Sequence, residues 1–538
     1  MTAGPYVRRD LLVLALLAAL LFLPGLGRRD LWNPDEARYA EVAREMRESG
    51  SWFIPRLNGE TYTQKPPLLF WLIDLSAALT GGRDESDSRI PSALAAIGAI
   101  LLVYRLGDRL FSRRAGWLAA AAFGTCFKIL WQGRFGQIDM LLTALVTLGV
   151  WFWVRGYTEK RPGLYPLFFL CAGFATLAKG PVGLLPPLLS IVAFLCLTRD
   201  WEELRRLRIG RGLLVWAAVV LAWLVPAGLT GGREYLQQIV FKQNVTRYAD
   251  PWHHFQPWYY YLTVIPGEFF PWSLFLPAAG VVGWRYGDLK RGGPRPGALF
   301  AACWVAVTLI FFSVSPAKRS VYVLTLYPAL ALLVGSALDR LMADWPRHRR
   351  WLTVPLGILA GFALLVTAAL AIAGPGRKEA LPLGGPTFAY LVALAFVPLL
   401  LGAIYAFWQG RHGRIAHTAI GIAAGMGALG LAVGLFILPR FDVVKSAQEL
   451  SGVLLTHLEP GESYGIYPRI DSTFVYYTRR YCVSLESEQA LREYASRPGR
   501  VWILAQRDDL KKIQPPLPLE VVAEDGDLEA GYLLLTKR

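Results

Sequence analysis

Charge is what this chain has least of. Asp, Glu, Lys and Arg together make up 18% of its 538 residues, against about a quarter in a soluble globular domain. With 54% of residues hydrophobic, that deficit excludes a wholly soluble protein. Cysteine is scarce as well: four of the five (Cys126, Cys171, Cys196, Cys303) lie inside apolar runs and Cys482 stands alone, so no disulfide framework is expected. No Walker-type loop and no G-x-G-x-x-G element occurs, which removes ATP-driven transport and dinucleotide chemistry. No internal repeat is evident, against the inverted-repeat transporters.

Apolar runs long enough to span a bilayer are what the chain has instead, recurring from position 10 to 438. The formal charge of +16 would suit a nucleic-acid partner in a soluble protein. Here the basic residues collect in short loops between the runs, as the positive-inside rule requires, and no nucleic-acid partner is expected. The first run, 10–27, ends in GLGRRD, a poor cleavage site, and reads as an uncleaved membrane helix. Twelve more lie near 90–104, 115–131, 140–154, 164–178, 181–198, 212–229, 266–284, 298–313, 320–338, 351–373, 387–408 and 415–438, thirteen in all.

The stretch KPPLLFWLIDLSAALTG, with Asp74 inside it, decides the map, because a crossing there would invert every later loop. If the Arg8 and Arg9 end is cytoplasmic and 66–80 does not cross, Arg105, Arg109, Arg113, Arg114, Arg205, Arg206, Arg295 and most other loop cations fall on the cytoplasmic side. Arg134, Lys179, Arg233, Lys242, Arg247, Lys318, Arg319, Arg377 and Lys378 form the smaller opposite set. A crossing would exchange the two sets and break the rule. The segment is therefore expected in the interface, and the C-terminus outside.

The resulting division is a transmembrane part over 1–439, with 28–89 a first outward loop carrying amphipathic helices, and a soluble α/β domain over 440–538. In the latter SYGIY, TFVYYT, VWILAQ, LEVVAE and GYLLL read as strands, and SAQELSGVLLTHL and SEQALREYA as helices.

This topology gathers the unusual polar groups on the outward side. Asp35 and Glu36 follow helix 1; Lys65 opens KPPLLFW; Gln137 and Asp139 start a membrane helix; Lys179 ends another; His253 and His254 sit in a loop; Lys318, Arg319 and Tyr322 open a later helix. The two acidic sites read as helix N-terminal caps and also as functional carboxylates at the membrane edge, and both readings can hold. The outward lysines and Arg319 suit a phosphate-bearing ligand, and equally lipid headgroups, Arg319 most of all. Lys128 reads as a snorkelling residue. PWHHFQPWYYYLTVIPGEFFPW, which includes Trp252, reads as an aromatic belt. His254 with Glu268 is a weak metal signal, two ligands loosely spaced.

The order DE after helix 1, YTQKPPL, GQIDM, LAKGP, H-x-x-PWYYY and KRSVYVLTLYPAL resembles the GT-C glycosyltransferases of the protein O-mannosyltransferase superfamily. Within it the chain is most similar to the bacterial enzymes that move 4-amino-4-deoxy-L-arabinose from undecaprenyl phosphate to lipid A. The likeness covers residues 28–340 by motif and the whole chain by architecture, a polytopic all-α membrane protein of about thirteen helices with a C-terminal periplasmic α/β domain. It implies a polyprenyl-phosphate sugar donor, a lipid A or other periplasmic acceptor, and a place among the lipids of the bacterial inner membrane, N-terminus cytoplasmic.

By the same resemblance Asp35 is the central catalytic carboxylate, with Asp139 the second acid and Glu36 beside them. Arg38, Tyr62, Lys65, Lys179 and Tyr322 bind the carrier phosphate. No cofactor is required by the motifs; a divalent metal at His254 stays open, weakened by Gln64 where such enzymes often carry an acid. The competing readings are a transferase acting on protein or cell-wall glycan, a lipid-linked sugar transporter or flippase, and a non-catalytic assembly subunit. A transporter predicts polar residues at mid-membrane, whereas here they cluster at the outer ends.

Overall fold

In a bilayer the backbone has no water to bond with, so each apolar run satisfies its own amides as a helix. The computed structural model describes all residues except 1–4, 83–84, 247–253, 294–295, 377–382, 526–530 and 538. Arg247, Trp252, His253, Arg295, Arg377 and Lys378 lie outside the described residues. Among those described, ten helices are long and apolar enough to cross a membrane, and up to eleven if the bent pair Tyr260–Glu268 and Trp272–Arg285, at 110°, is one span.

The difference from thirteen has local causes. The first helix, α1 (Pro5–Phe22), carries Arg8, Arg9 and Asp10 near its start. The run at 115–131 is broken into α5 (Arg113–Gly124) and α6 (Phe127–Gln132). At that break Trp272 donates its indole N–H to Thr125 Oγ1 at 3.0 Å and the Phe127 amide donates to the Phe270 carbonyl at 2.9 Å. Partners from the bent pair thus replace helical bonds. Lys128, on α6, does not snorkel: it is buried, 2.6 Å from Glu268 and 2.9 Å from Ser320 Oγ.

Between α1 and α5 lie α2 (Asp35–Ser49), α3 (Leu68–Thr80) and α4 (Ser86–Leu110). At thirteen residues, α3 is only about 20 Å long, short of the roughly 30 Å hydrocarbon core. Its Asp74 pairs with Arg47 of α2 at 3.3 Å. A two-stranded hairpin, β1 (Arg56–Leu57) with β2 (Glu60–Thr61), links α2 to α3. Helices α7 (Ile138–Glu159) and α8 (Tyr165–Lys179) pack on each other, and α7 on α4.

The chain beyond Phe441 builds a five-stranded sheet in the order β4-β3-β5-β7-β6. Strand β3 (Tyr464–Tyr467) pairs in parallel with β4 (Cys482–Ser484) and β5 (Trp502–Gln506); β7 (Tyr532–Lys537) runs antiparallel to β5 and to β6 (Leu519–Glu524). Alternation along the strands puts Ile466, Leu504 and Leu534 on one buried face and Ile503, Leu533 and Leu535 on the other. TFVYYT is not a strand. It forms the helix Ser472–Thr478, because Asp471 accepts the Thr473 amide at 2.9 Å as an N-cap, and the short strand β4 takes its expected place.

Candidate active site

The link from α1 to α2 is held by arginines. Arg134 donates to the carbonyls of Leu21 and Pro24, and Arg89 to those of Leu26, Arg29 and Asp30, satisfying link carbonyls that lie outside any helix and one, Leu21, that the end of α1 leaves open. The first turn of α2 then carries Asp35 and Glu36, where acids suit the helix dipole. Neither α2 nor α7 has a side-chain N-cap hydrogen bond, so neither Asp35 nor Asp139 acts as a capping side chain.

The two adjacent acids part company. Glu36 is 2% exposed and sits 2.8 Å from Arg29 and 2.9 Å from Arg89, and it accepts the Gly136 amide at 2.9 Å. Burial would raise its carboxyl, but the two guanidiniums outweigh that and bring it down to about 2. Arg29 is itself flanked by the rings of Trp32 and Phe135, at 4.2 and 4.1 Å. Glycine is needed at 136, since a Cβ there would fall 2.8 Å from the Ser88 carbonyl. Glu36 is therefore an internal anchor for the start of α2 and does not line the neighbouring cavity.

Asp35 does line it, in a space of about 380 Å³ shared with Tyr39, Lys65, Asp139, Lys179, Arg319 and Tyr322. Arg319 and the Gln137 side-chain amide each donate to Asp35 Oδ2 at 3.3 Å. Asp139, in the first turn of α7, is paired with Lys179 in the last turn of α8, a cation where the dipole favours one. Gly180, at φ 85°, ends the helix directly behind that lysine. The Lys179 ammonium also lies 4.8 Å from the centre of the Tyr322 ring. Burial, aided by the charges of Asp35 and Asp139, keeps the Tyr39 phenol protonated well above its ordinary range. Burial works against the Arg319 cation, but Asp35 and Asp139 outweigh it. Leu142, Val182, Leu185, Phe311 and Phe312 complete an apolar wall.

Of the expected site residues, Asp35, Asp139, Lys65, Lys179 and Tyr322 meet in this cavity. Arg38 and Tyr62 do not line it; Tyr62 is buried against Phe70, 6.1 Å between ring centres. Lys318 turns its ammonium to the carbonyls of Gln256 and Ser315. His254 accepts the Lys318 amide through its backbone at 2.9 Å. Glu268, considered with it, is engaged by Lys128 and Tyr327, and among the described residues no group of three or more His, Cys, Asp or Glu side chains is arranged to hold a metal. Arg319, which reads in sequence either as a phosphate-binding group or as a headgroup anchor, faces the cavity, and Tyr39, absent from the motifs, joins it. Tyr39 has only its position as a signal, one turn after Asp35, whereas Arg319 is one of the outward cations that suit a phosphate and lies in KRSVYVLTLYPAL, three residues before Tyr322.

Residues 64–227 match the family model described as dolichyl-phosphate-mannose-protein mannosyltransferase. The chain is 31% identical over 400 residues to the undecaprenyl phosphate-alpha-4-amino-4-deoxy-L-arabinose arabinosyl transferase of Aeromonas salmonicida, covering 72% of each chain. It is 28% identical over 440 residues to the one from Erwinia tasmaniensis, 78% of this chain and 76% of that one. In fold it is similar to ArnT from Cupriavidus metallidurans, solved with bound undecaprenyl phosphate: TM-score 0.80, 24% identity, 99% and 98% of the two chains. The archaeal oligosaccharyltransferase AglB of Archaeoglobus fulgidus is a more distant fold relative, with a TM-score of 0.53 at 13% identity over 93% and 69%.

Proposed function

The chain belongs to the undecaprenyl phosphate-alpha-4-amino-4-deoxy-L-arabinose arabinosyl transferases, and from that membership we propose how its cavity carries out the transfer. The protein is an integral-membrane glycosyltransferase that takes its sugar from a polyprenyl-phosphate carrier. One observation carries the assignment of the site: Lys65, Lys179 and Arg319 stand beside two carboxylates in a cavity with an apolar wall of Leu142, Val182, Leu185, Phe311 and Phe312. Cations beside an oily wall suit a phosphate with a polyprenyl tail.

The chemistry then follows from the leaving group. The bond from the sugar's anomeric carbon to the carrier phosphate breaks, its electron pair leaves with the phosphate oxygen, and a bond to an acceptor oxygen forms. Positive charge fixed where that anion develops lowers the barrier; Lys65 and Lys179 fill this role, with Asp139 holding Lys179 in place and the Tyr322 ring beneath it. The acceptor we favour is lipid A. If its oxygen belongs to a phosphate, the nucleophile arrives as an anion and Asp35 orients the sugar; if it is a hydroxyl, Asp35 removes the proton. Either way Arg319 and Gln137 fix the Asp35 carboxylate through Oδ2. The neutral Tyr39 phenol adds a donor. The loop charges support an N-terminus in the cytoplasm of a bacterial inner-membrane protein, with the cavity and C-terminal sheet on the periplasmic side.

The test is transfer by the purified protein in detergent, with radiolabelled undecaprenyl-phosphate aminoarabinose and lipid A. Asp35→Asn is expected to abolish labelled product. Lys179→Met is expected to lower kcat by about 10²- to 10³-fold, the size of losing one preorganised charge-stabilising group. Wild-type rates from Asp35→Asn would overturn its central role.

A further inference from the structure

The carboxylate at the centre of that proposal hangs on a short link, and the far end of the chain grips it. The Asp30 amide and the Trp32 indole N–H donate to the two oxygens of Asp442 at 3.1 and 2.8 Å. The Leu31 amide donates to the Tyr477 hydroxyl at 2.8 Å, and the Asn33 side-chain amide to Asp471 Oδ2 at 2.7 Å. Four consecutive residues, 30–33, are thus bound one after another from beyond residue 440, and Asp35 follows after a single proline.

The gripping groups are themselves anchored. Asp471 caps the helix that carries Tyr477 and accepts the Tyr532 hydroxyl from β7 at 3.4 Å. A second hold lies past the other end of α2, where the Asn58 side chain exchanges two 2.8 Å bonds with the backbone of Cys482, at the start of β4. The sheet unit therefore touches the chain on both sides of α2. Bonds to carboxylate oxygens are the short, strong and directional kind, and directional bonds fix position better than apolar contact does.

We propose that the C-terminal α/β unit is a positioning part of the transferase site, with Asp442 and Asp471 setting where the Asp35 carboxylate stands. This rests on the reading of Asp35 given above. Misplacement by about 1 Å can cost about 10²-fold in rate, whereas Lys65 and Lys179, which meet the carrier phosphate, hang on other elements. Releasing the grip should therefore slow turnover and leave donor binding alone.

The experiment uses the full-length protein in detergent, with donor KM and kcat measured separately for Asp442→Ala, Asp471→Ala, Trp32→Phe and Asn33→Ala. Trp32→Phe keeps a ring beside Arg29 and deletes only the N–H donor, so it reports on the bond even if an alanine variant fails to fold. Expected is a fall in kcat of about 10- to 100-fold with donor KM within about twofold. Asp471→Asn, which keeps an acceptor oxygen, should restore most of the rate. The Asn33→Ala and Asp471→Ala pair should be no slower than Asp471→Ala alone, because the bond Asn33 makes is already lost in that variant. Unchanged kcat in Trp32→Phe and Asn33→Ala, or a raised KM at constant kcat, would overturn the proposal. So would strict additivity of the pair. A fully active Asp35→Asn would instead sink the reading of Asp35, whatever the grip variants do.

Discussion

Two adjacent pairs, Asp35 with Glu36 and Lys318 with Arg319, divide the same way: one member faces the cavity and its neighbour is absorbed by the scaffold. Successive residues on a helix point about 100° apart, so which acid faces the cavity depends on the setting of α2, a tertiary fact that DE in a sequence cannot show. Asp35, Asp139, Lys65, Lys179 and Tyr322, which the resemblance singles out, line one cavity; the motifs carry chain order, and the fold brings them together. It could not show that Glu36 is enclosed by Arg29 and Arg89, whose positions look like ordinary loop cations. That enclosure has a measurable consequence. A carboxyl lowered from an ordinary 4.5 to about 2 binds fewer protons folded than unfolded, so its stabilisation is complete above pH 4.5 and lost as pH falls through about 2. The full linkage is worth about 3 kcal/mol. Glu36→Gln leaves two buried guanidiniums without their counter-ion and should cost about 3–5 kcal/mol. Thermal unfolding in detergent from pH 6 down to 2 checks both: the wild type should lose stability across the window, while the variant starts lower and stays flatter.

At the scale of elements, the apolar runs and their order were legible, because a bilayer permits little but helix. Breaks were not. The run at 115–131 is as apolar as its neighbours, and it divides because Trp272 and Phe270, well over a hundred residues on, offer partners to Thr125 and Phe127. TFVYYT has the composition of a strand, yet a single capping aspartate, Asp471, starts a helix there. In both cases a specific hydrogen bond outweighs a propensity worth only a fraction of a kcal/mol per residue. The seat of α2 depends on a similar local condition, the close passage of the 133–137 segment over α4. Gly136→Ala would set a methyl 2.8 Å from the Ser88 carbonyl and lift the amide that Glu36 accepts. The expected cost is about 1–3 kcal/mol, as for overpacking elsewhere. A lowered unfolding midpoint together with reduced transfer is the outcome to look for; a stable, fully active variant would show that the crossing tolerates displacement.

For the whole molecule, the cavity, the α2 link and the C-terminal sheet occupy one side of the helix bundle, and the link's hydrogen bonds to the sheet tie that side together. Contacts spanning more than 400 positions leave no local pattern in a sequence, which is why a division at residue 440 conceals how closely the two parts cooperate. The same geometry makes the orientation testable with two surface sites. Glu202 is exposed in the Arg-rich helix Trp201–Arg206, and Gln489 is exposed in the helix Glu488–Ala495 of the sheet unit. Among the native cysteines only Cys196 is not buried, so replacing it by Ser leaves a quiet background. In intact bacteria, permeabilised only at the outer membrane, a membrane-impermeant maleimide should label Gln489→Cys at once, and Glu202→Cys only after the inner membrane is opened. The reverse would put the cavity in the cytoplasm, where the sugar carrier would have to present its phosphate from the other leaflet. Equal labelling of both sites in intact cells would mean that the protein inserts in two orientations.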